Sequence, residues 1–587
     1  GMLITAAPLV EVVPLERATM PGRVVVQWNK DSVEDAGLIK IDLLSLRTLG
    51  VIEEALDHIQ EQQGVTLDLD RLPMDGEPGS PSYAIYDLLQ RADTVGCFQV
   101  ESRAQAQMLP KLQPTRFEDI VIGVALIRPG PIQGGMVHPY LRRRQGLEPV
   151  IYPHPVLEPV LAETMGVIIF QEQVIRVAMA IAGFTPAEAD QLRRAMSRSR
   201  SQEAMMALRE HFLHGAQANG VDEVTAEDVF RQLAGFAGFG FCKSHAAAFA
   251  LVAYQTLYLK AFFPAEYTCA LLNHQPMGFY PPEVLIGDAR RHGVSVLHPD
   301  INHSMEACTL ENPRTPVTLE DNPLSTFSTP ASSPACGTPS AIRLGLRYVH
   351  GLGEVWQARI VEQREHSPQV SQGSKRFSNL MNFCRSTHLP RSLVENLIRA
   401  GAMDSLGMAR RDLLWELGGL VYQEENAIGY EAGEVRNMHV DLDVPVEPAA
   451  LPALSKAECL AWEHELLGLS PGDHVMDLYR ESLQAQGVLS SRDLDARQDG
   501  EVVRLAGYAV VRQRPPTAKG YLFITLEDEE GLMNLIVRPR IYERYRDALR
   551  NAPLLWIEGQ LQREGRALSV LVHSAKALGS PNDGGSA

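Results

Sequence analysis

The 587-residue chain lacks the cysteine spacing that a disulfide framework or a zinc site needs. Its seven cysteines are scattered, with no CxxC pair and no His/Cys cluster at ligand spacing. Such usage is typical of proteins from a reducing compartment. The sequence also has no apolar run of membrane-spanning length, and no charged N-terminal region followed by an apolar one. We therefore expect a cytoplasmic protein with no membrane partner.

Positive charge is also in short supply, since the formal net charge is −18. An acidic chain argues at first against nucleic acid as a partner, but a large protein can hold a basic groove inside an acidic exterior. Hydrophobic residues make up 45% of the sequence, which is ample for several cores. The length predicts about three to five domains.

Residues 37–44 form a short apolar run with the length of a buried strand, interrupted by Lys40 and Asp42. Side chains two residues apart on a strand point to one face, where a buried cation and carboxylate need partners. A structural salt bridge is one interpretation. The other is a metal and phosphate site, in which Asp42 holds Mg²⁺ and Lys40 offsets phosphate charge. One carboxylate is a poor two-metal site, so the second interpretation requires acidic partners from elsewhere.

Two further segments present arginine side chains. Arg128 stands at the mouth of a loop with two prolines and three glycines, residues 128–136, whose bare backbone suits close approach by a ligand. Arg193, Arg194 and Arg198 share one side of a predicted helix. Guanidinium groups are natural phosphate ligands. An ordinary connection and a solvated helix face are the competing interpretations.

Residues 236–245 alternate phenylalanine with glycine and end in Lys243-Ser244-His245 at the start of an alanine-rich helix. This pattern is compatible with a stacking and phosphate platform at a helix N-terminus. It is equally compatible with a core of phenylalanines next to a helix capped by Ser244.

Several of these segments together resemble the alpha subunits of bacterial replicative DNA polymerases of the DnaE type (family C). The resemblance extends over nearly the whole chain, in order, and is carried by residues 98–105, 128–133, 170–173, 189–196 and 243–247. Residues 136–144 and 512–520 resemble the error-prone ImuC branch, used in damage-induced mutagenesis. One departure is Cys242-Lys243, where that branch more often has Pro-Glu.

The resemblance implies roles for the residues singled out above. Lys40 and Asp42 would belong to the catalytic palm strand, with Asp42 as a metal ligand and Mg²⁺ as the cofactor. The incoming dNTP would be held by Arg128, Arg193, Arg194 and Lys243, with His245 near the nascent base pair. In the family a PHP domain and most of the palm, including an Asp-x-Asp pair, precede this point. Asp68/Asp70 and Asp441/Asp443 have that spacing but lie in a turn-rich bridge and an acidic linker.

The expected fold is multidomain α+β: partial palm strands, a large helical fingers domain, a helix-hairpin-helix region and a C-terminal OB-fold barrel. Gly351 and Gly353 mark a hairpin that exposes N–H groups to DNA phosphate, and we expect Lys519, in the barrel, to contact DNA. The expected domains are 1–48 partial palm, 49–307 fingers, 308–340 disordered insertion, 341–423 hairpin region, 424–456 acidic linker, 457–501 helical connector, 502–578 OB-fold and 579–587 disordered tail.

We therefore expect part of a DNA-templated, error-prone DNA polymerase that acts on primer-template DNA and dNTPs and is incomplete for catalysis without an N-terminal polymerase half. A non-catalytic DNA-binding accessory and a scaffold of a mutagenesis complex are the alternatives. The nearest match to a clamp-binding peptide, residues 232–236, lies inside the predicted fingers. Recruitment to the sliding clamp is accordingly expected to be indirect, through an ImuB-like partner.

Overall fold

The computed structural model describes residues 2–18, 22–41, 46–127, 137–197, 202–237, 241–311, 341–366, 377–420, 451–515 and 518–579. The chain divides into two compact units, residues 1–51 and 52–587. The fold is α+β and multidomain, as the sequence predicts. Among the residues described, no helix is long and apolar enough to cross a membrane.

The first unit consists of short strands around one small helix. Its elements are β1 Met2–Ile4, β2 Leu15–Arg17, β3 Val24–Val26, α1 Lys30–Asp35 and β4 Ile39–Ile41. β1 pairs antiparallel with β4, which sets Lys40 opposite Leu3, and β2 pairs antiparallel with β3.

The strand that carries Lys40 differs from the expectation. Its three residues are all exposed, with Ile39 at 65%, so the prediction of a buried strand was wrong. Within the described part of this unit the buried hydrophobic residues are few, namely Val13, Val33 and Val51. The two short strand pairs therefore have little apolar material packed over them inside their own unit.

The second unit begins with a large helical region. Its helices are α2 Arg47–Gln63 (which starts in the first unit), α3 Tyr83–Arg91, α4 Arg103–Leu112, α5 Phe117–Leu126, α6 Val137–Arg144, α7 Glu158–Leu161, α8 Gln171–Ala182, α9 Pro186–Ser197, α10 Gln202–Ala218, α11 Glu223–Ala237, α12 Lys243–Phe262, α13 Pro264–Asn273 and α14 Pro282–Arg291. Every residue of α5 from Asp119 onwards is buried, as expected for a helix that is apolar nearly all round. α5 packs on α12, and these two helices form the centre of the helical region.

A three-stranded sheet and a second group of helices follow. β5 Ser295–Leu297 pairs parallel, and β6 Thr309–Glu311 antiparallel, with β7 Ala341–Arg343. The helices are α15 Glu354–His366, α16 Leu380–Thr387, α17 Arg391–Arg399, α18 Arg410–Gly419, α19 Lys456–Leu467 and α20 Arg480–Ala485. β6 lies within the predicted disordered insertion, so its first residues are ordered by pairing with β7. Residues 312–340, most of the predicted linker (421–450) and the tail from 580 lie outside the described residues.

The C-terminal strands close into a barrel. They are β8 Val502–Gln513, β9 Leu522–Glu527, β10 Leu532–Val537, β11 Leu554–Glu564 and β12 Ala567–Ala577, with α21 Pro539–Arg544 and α22 Arg546–Asn551 between β10 and β11. The order around the barrel is β10-β12-β11-β8-β9, closed by the pairing of β9 with β10. A five-stranded barrel of this kind is the architecture predicted for the OB module. Its core is formed by alternating inward residues such as Ile524, Leu535 and Ile557, none of which is exposed.

Candidate nucleotide and DNA contacts

Two helix N-termini lie side by side in the helical region. Phe170 directly precedes α8, and Phe241 lies two residues before α12. The two phenylalanines form an isolated parallel β-bridge. The Gln171 N–H donates to the Phe241 carbonyl at 3.0 Å. The first turns of α8 and α12 are thereby held together, and both present positive dipole ends. We call this arrangement the paired helix start.

Lys243 lies at the centre of the paired helix start. Its backbone N–H donates to both carboxylate oxygens of Glu172, at 3.1 and 3.0 Å. Its ammonium group pairs with Glu163 at 2.5 Å and lies 5.8 Å from the centre of the Phe170 ring. Two carboxylates therefore occupy the positions that phosphate oxygens would take at this helix end. An incoming phosphate would have to displace them.

His245 is part of an aromatic row. Its ring lies 4.9 Å from Phe241 and 4.1 Å from Phe249, and Phe249 in turn contacts Phe98 at 5.2 Å, all measured between ring centroids. His245 itself is exposed. Of the predicted aromatic segment, the side chains of Phe241 and His245 are described, and the exposed histidine lies between Phe241 and Phe249. This placement allows a base to stack against the imidazole.

Ser244 does not cap α12, which corrects one of the sequence interpretations. The cap residue is Cys242, whose side chain forms no capping hydrogen bond, and Ser244 lies inside the first turn. Glu172 takes over the capping function from a different helix. Because Glu172 is 71 residues away in sequence, no local pattern could have indicated it.

The structure places the other predicted nucleotide contacts less completely. Arg193 and Arg194 lie on α9, which packs against α8, the helix that carries Glu172. Their side chains are outside the described residues, as are Arg128 and Asp42. Lys243 and His245 are thus the predicted dNTP contacts that the described structure brings together.

The glycine hairpin lies between a short 3₁₀ turn, Leu346–Tyr348, and α15. Gly351 has φ +83°, a left-handed conformation that favours glycine, and Asn396 donates to the neighbouring His350 carbonyl at 3.1 Å. A Cβ on Gly353 would meet no atom within 4 Å, so the backbone here is open to close approach. The Trp356 and Gln357 N–H groups donate to the Gly353 carbonyl, so a phosphate would be held by the two N–H groups before them in the first turn of α15. Glu354, exposed in the same turn, opposes that attraction.

The loop between β8 and β9 carries Lys519, which is exposed and has φ +49°. Nearby, the exposed Arg514 guanidinium stacks 4.7 Å above the ring of Tyr542 on α21. This surface continues along α21 and α22, a continuation that was not predicted from the sequence. A run of exposed arginines interleaved with tyrosines would have indicated it: Arg538, Arg540, Arg544, Arg546 and Arg550. We call Arg514, Lys519, Tyr542 and these arginines the barrel basic surface.

The opposite situation holds on the β9–β10 face of the barrel, which OB-folds commonly use for nucleic acids. The buried guanidinium of Arg103, from α4, stacks 4.7 Å above Phe523 and donates to the Leu535 carbonyl. Arg291 pairs with Glu527 at 3.2 Å, and Lys111 pairs with Glu564. Helices of the large helical region therefore cover this face, and Phe523 is not available for base stacking in this arrangement.

One described group has the composition of a metal site, since ligand atoms of Asp93, Asp288 and His292 lie within 4.8 Å of one another. The Lys260 ammonium group, however, lies 3.0 Å from Asp93 and 2.8 Å from Asp288. Burial acts to raise the pKa of Asp93, but Lys260 and His292 outweigh it and hold that pKa well below its usual range. A lysine thus already supplies the positive charge, and the group is a buried ion network rather than a place for Mg²⁺.

Comparison with known proteins supports this reading of the architecture. Residues 48–220 match the bacterial DNA polymerase III alpha subunit finger domain, residues 293–413 a helix-hairpin-helix motif, and residues 1–45 the bacterial DNA polymerase III alpha NTPase domain. A solved asparaginyl-tRNA synthetase from Pyrococcus horikoshii matches 16% of this chain and 22% of its own, at 19% identity and a TM-score of 0.14, too low to support an argument. Two of the three matches, over residues 1–45 and 48–220, are to domains of bacterial DNA polymerase III alpha subunits.

Within that class the similarity is to error-prone DNA polymerases. The chain is 41% identical to the error-prone DNA polymerase of Anaeromyxobacter dehalogenans strain 2CP-1 over 98% of its own length and 48% of that protein. It is 42% identical to that of Methylococcus capsulatus over 100% of its own length and 53% of that protein. The chain thus spans about half the length of the curated relatives it matches.

Proposed function

We propose that this chain provides the fingers, hairpin and barrel portion of an error-prone, DNA-templated DNA polymerase. The paired helix start carries the proposal, because it joins a lysine, two helix N-termini and an accessible aromatic row in one place. In the proposed reaction the primer 3′-hydroxyl attacks the α-phosphate of a dNTP and pyrophosphate leaves. Divalent metal ions, for which we propose Mg²⁺, would stabilise the charge that develops on the phosphate.

The chain's own residues would act on the nucleotide and the DNA. Lys243 would exchange Glu163 for a phosphate of the incoming dNTP, and His245 would stack near the nascent base pair. Arg128, Arg193 and Arg194 are proposed to contact the same triphosphate. Asp42 is the proposed metal ligand, and Lys40 would contact phosphate beside it. The N–H groups near Gly351 and Gly353 would hold duplex phosphates.

The single-stranded template would follow the barrel basic surface. The β9–β10 face is covered by Arg103, whereas Arg514, Lys519 and the arginines of α21 and α22 are exposed. Arginine and lysine interleaved with tyrosine provide both phosphate contacts and stacking partners. We propose this path because the barrel basic surface is exposed, whereas the β9–β10 face is covered.

The test of the catalytic proposal is primer extension with Mg²⁺. We expect no extension by this chain alone, because its sequence offers Asp42 without the Asp-x-Asp pair of the family. We expect extension when the chain is mixed with an N-terminal polymerase half, and loss of that activity in Asp42→Ala. Extension by the chain alone that Asp42→Ala abolishes would contradict the requirement for a second half.

Lys243 has a closely matched control. Lys456 is also 46% exposed and also pairs with a carboxylate, Asp473, at 3.0 Å. In the reconstituted enzyme, Lys243→Gln should raise KM for dNTP by about tenfold, the scale of one charge-assisted contact. Lys456→Gln should leave KM unchanged. Equal effects of the two variants would assign Lys243 to stability.

The arginines of α9 should contribute to nucleotide binding more than to DNA binding. Changing Arg193 and Arg194 to Ala should leave primer-template affinity within about threefold, the scale of weak surface ion pairs. It should weaken dNTP-dependent protection of the reconstituted enzyme. Loss of most DNA binding, with a salt slope flattened by about two, would place these arginines on the DNA backbone.

Clamp recruitment is proposed to be indirect, through an ImuB-like partner. Residues 232–236 lie within α11, where Leu233 is fully buried. A clamp-binding peptide must be exposed, so binding of this chain to the clamp should be weak. Tight clamp binding that is lost in Gln232→Ala would refute this.

A non-catalytic, DNA-binding role is the second candidate. One observation favours it: the Asp-x-Asp pairs Asp68/Asp70 and Asp441/Asp443 lie outside the predicted palm strands. DNA binding with no extension in any reconstituted mixture would support this role.

A further inference from the structure

A cleft of about 680 Å³ lies between the fingers helices and the barrel. α14 contributes Arg290 and Arg291 to its wall, and residues preceding the barrel contribute His474 and Arg492. Its volume falls within the range of small-molecule sites in proteins, roughly 300–1,000 Å³. None of the contacts proposed above uses these residues.

His474 provides the most informative observation. It is 92% buried, since its exposed fraction is 8%, and its Nδ1 accepts a hydrogen bond from the Met476 N–H at 3.1 Å. A neutral ring whose Nδ1 accepts must carry its proton on Nε2. His474 lines the cleft, and its buried Nε2 has no hydrogen-bond partner. A buried donor without an acceptor is costly, and a ligand with an oxygen acceptor would remove that cost.

The charges around His474 indicate the sign of such a ligand. Burial, followed by the charges of Arg291 and Arg290, lowers the pKa of His474 to about 3, so the ring is neutral at pH 7. Arg291 pairs with Glu527. Arg290 forms no ion pair within 4.0 Å among the residues that the structure describes, although the charges of Asp477 and Asp473 act on its guanidinium. A neutral donor and an unpaired guanidinium thus lie near each other, with Arg492 exposed in the same cleft.

The carboxylates that line the cleft are mostly engaged elsewhere. Glu101 accepts from the N–H groups of Gly96 and Phe279, and burial raises its pKa to about 7. Glu529 pairs with Arg480, and Glu530 accepts from the Ser490 hydroxyl. Asp495 is exposed. These partners reduce the repulsion that an anion near Arg290 would meet.

We propose that this cleft binds a small phosphate-bearing anion, through Arg290 and Arg492 as charged contacts and the His474 Nε2–H as a hydrogen-bond donor. Inorganic pyrophosphate and nucleoside triphosphates share this chemistry and fit the volume. The site does not depend on nucleotidyl transfer, because its residues are not those assigned to the dNTP, the metal or the DNA.

The test is isothermal titration of the full chain with pyrophosphate, with dATP and with inorganic phosphate, in a buffer free of other polyvalent anions. We expect a site that binds pyrophosphate or dATP with Kd below about 1 mM and that persists in Lys243→Gln, the variant of the proposed dNTP contact. Inorganic phosphate should bind more weakly, because it makes fewer contacts. The ratio of the pyrophosphate and dATP affinities distinguishes the two sources of the phosphate.

Variants locate the binding in the cleft. Arg290→Gln with Arg492→Gln should weaken pyrophosphate binding at least about tenfold, and His474→Phe about fivefold, the net scale of one ordinary hydrogen bond. The matched control is Arg504→Gln, a barrel arginine that is 52% exposed and pairs with Glu558 outside the cleft. Thermal unfolding of each variant without ligand verifies that it is folded.

A second readout does not rely on affinity. With ¹⁵N-histidine labelling, the pKa of His474 should rise when pyrophosphate is added, because an anion offsets the charges of Arg290 and Arg291. The proposal is overturned if neither pyrophosphate nor dATP binds at about 5 mM. It is also overturned if the Arg290/Arg492 variant binds pyrophosphate as the unaltered chain does, or if that variant loses only single-stranded DNA binding.

Discussion

The strands of the N-terminal unit and those of the C-terminal barrel have similar sequences and different surroundings. β4 is an Ile-Lys-Ile strand whose residues are all exposed. In the barrel, every residue of β9 except Phe523 is buried, and β10 alternates buried with partly buried residues. The barrel completes its own hydrogen bonding and its own core, because its sheet closes on itself. In residues 2–41 the pairs β1–β4 and β2–β3 remain two-stranded. A hairpin of that size has little stability without further layers.

The difference determines how a charged residue on each strand should be interpreted. The metal and phosphate interpretation of Lys40 rested on the free-energy cost of burying a charge, and that cost does not arise on an exposed strand. Arg103 is the reverse case, because it is 96% buried and meets Phe523 and a backbone carbonyl instead of a carboxylate. Burial lowers its pKa to about 9. The buried charge that needs partners is therefore that of Arg103 at the barrel and not that of Lys40 on β4.

The largest expected contrast between the two regions is in packing. Leu535→Ala removes a side chain with no exposed surface from the barrel core and should cost about 2–5 kcal/mol. Ile39→Ala, at a residue that is 65% exposed, should cost less than about 0.5 kcal/mol. Hydrogen exchange of the amides of β9, β10 and β4 measures both locally. A cost for Ile39→Ala similar to that for Leu535→Ala would show that β4 is buried in solution.

These regions also show how far sequence patterns reach. The strands predicted between 502 and 578 close into the expected barrel, because local periodicity indicates each strand. The Glu172 cap of α12 and the Arg103 contact with β10 join residues 71 and 432 positions apart. No periodicity encodes such contacts. Predicting Lys243 and His245 as neighbours needed only their spacing on one helix.

A smaller contrast concerns pH at the barrel interface. Burial, and next the charge of Glu527, raises the pKa of Glu283 to about 7, whereas the unfolded carboxyl titrates at its ordinary value of 4.5. The associated stability is fully present below pH 4.5 and is lost as the pH rises through about 7. Glu283→Gln removes this loss and should stabilise the chain by roughly 1–3 kcal/mol at pH 8. The stabilisation should be absent at pH 4.5.

Thermal or urea unfolding of both proteins between pH 4.5 and 8 measures this difference. Glu16→Gln, the same substitution at an exposed carboxylate of the N-terminal unit, is the control. A stabilisation by Glu283→Gln that is equal at both ends of the range would mean that the carboxyl is ionised throughout.

The hairpin should respond in DNA affinity and not in stability. A methyl group on Gly353 meets no protein atom within 4 Å, so Gly353→Ala should fold normally. The same methyl group would obstruct the approach of a phosphate to the backbone and should weaken duplex binding about fivefold, roughly the net value of one ordinary hydrogen bond. Gly418→Ala, also unobstructed, is the matched control. Equal duplex affinity of the two variants would remove the hairpin from the DNA path.

The smallest expected effect compares two exposed lysines, one from each region. Lys519 belongs to the barrel basic surface, and Lys40 lies on β4. Lys519→Gln removes one charge from a surface that carries several arginines, so single-stranded DNA affinity should fall only about twofold to threefold. Each single-strand phosphate contact contributes about 0.7 to the log–log salt slope, so the slope should flatten by about that amount. Lys40→Gln should change neither quantity, because its proposed contact is the nucleotide phosphate. Fluorescence anisotropy with a labelled oligothymidylate across a salt series measures both variants. If Lys40→Gln flattens the slope and Lys519→Gln does not, the template path runs over the N-terminal unit and not over the barrel.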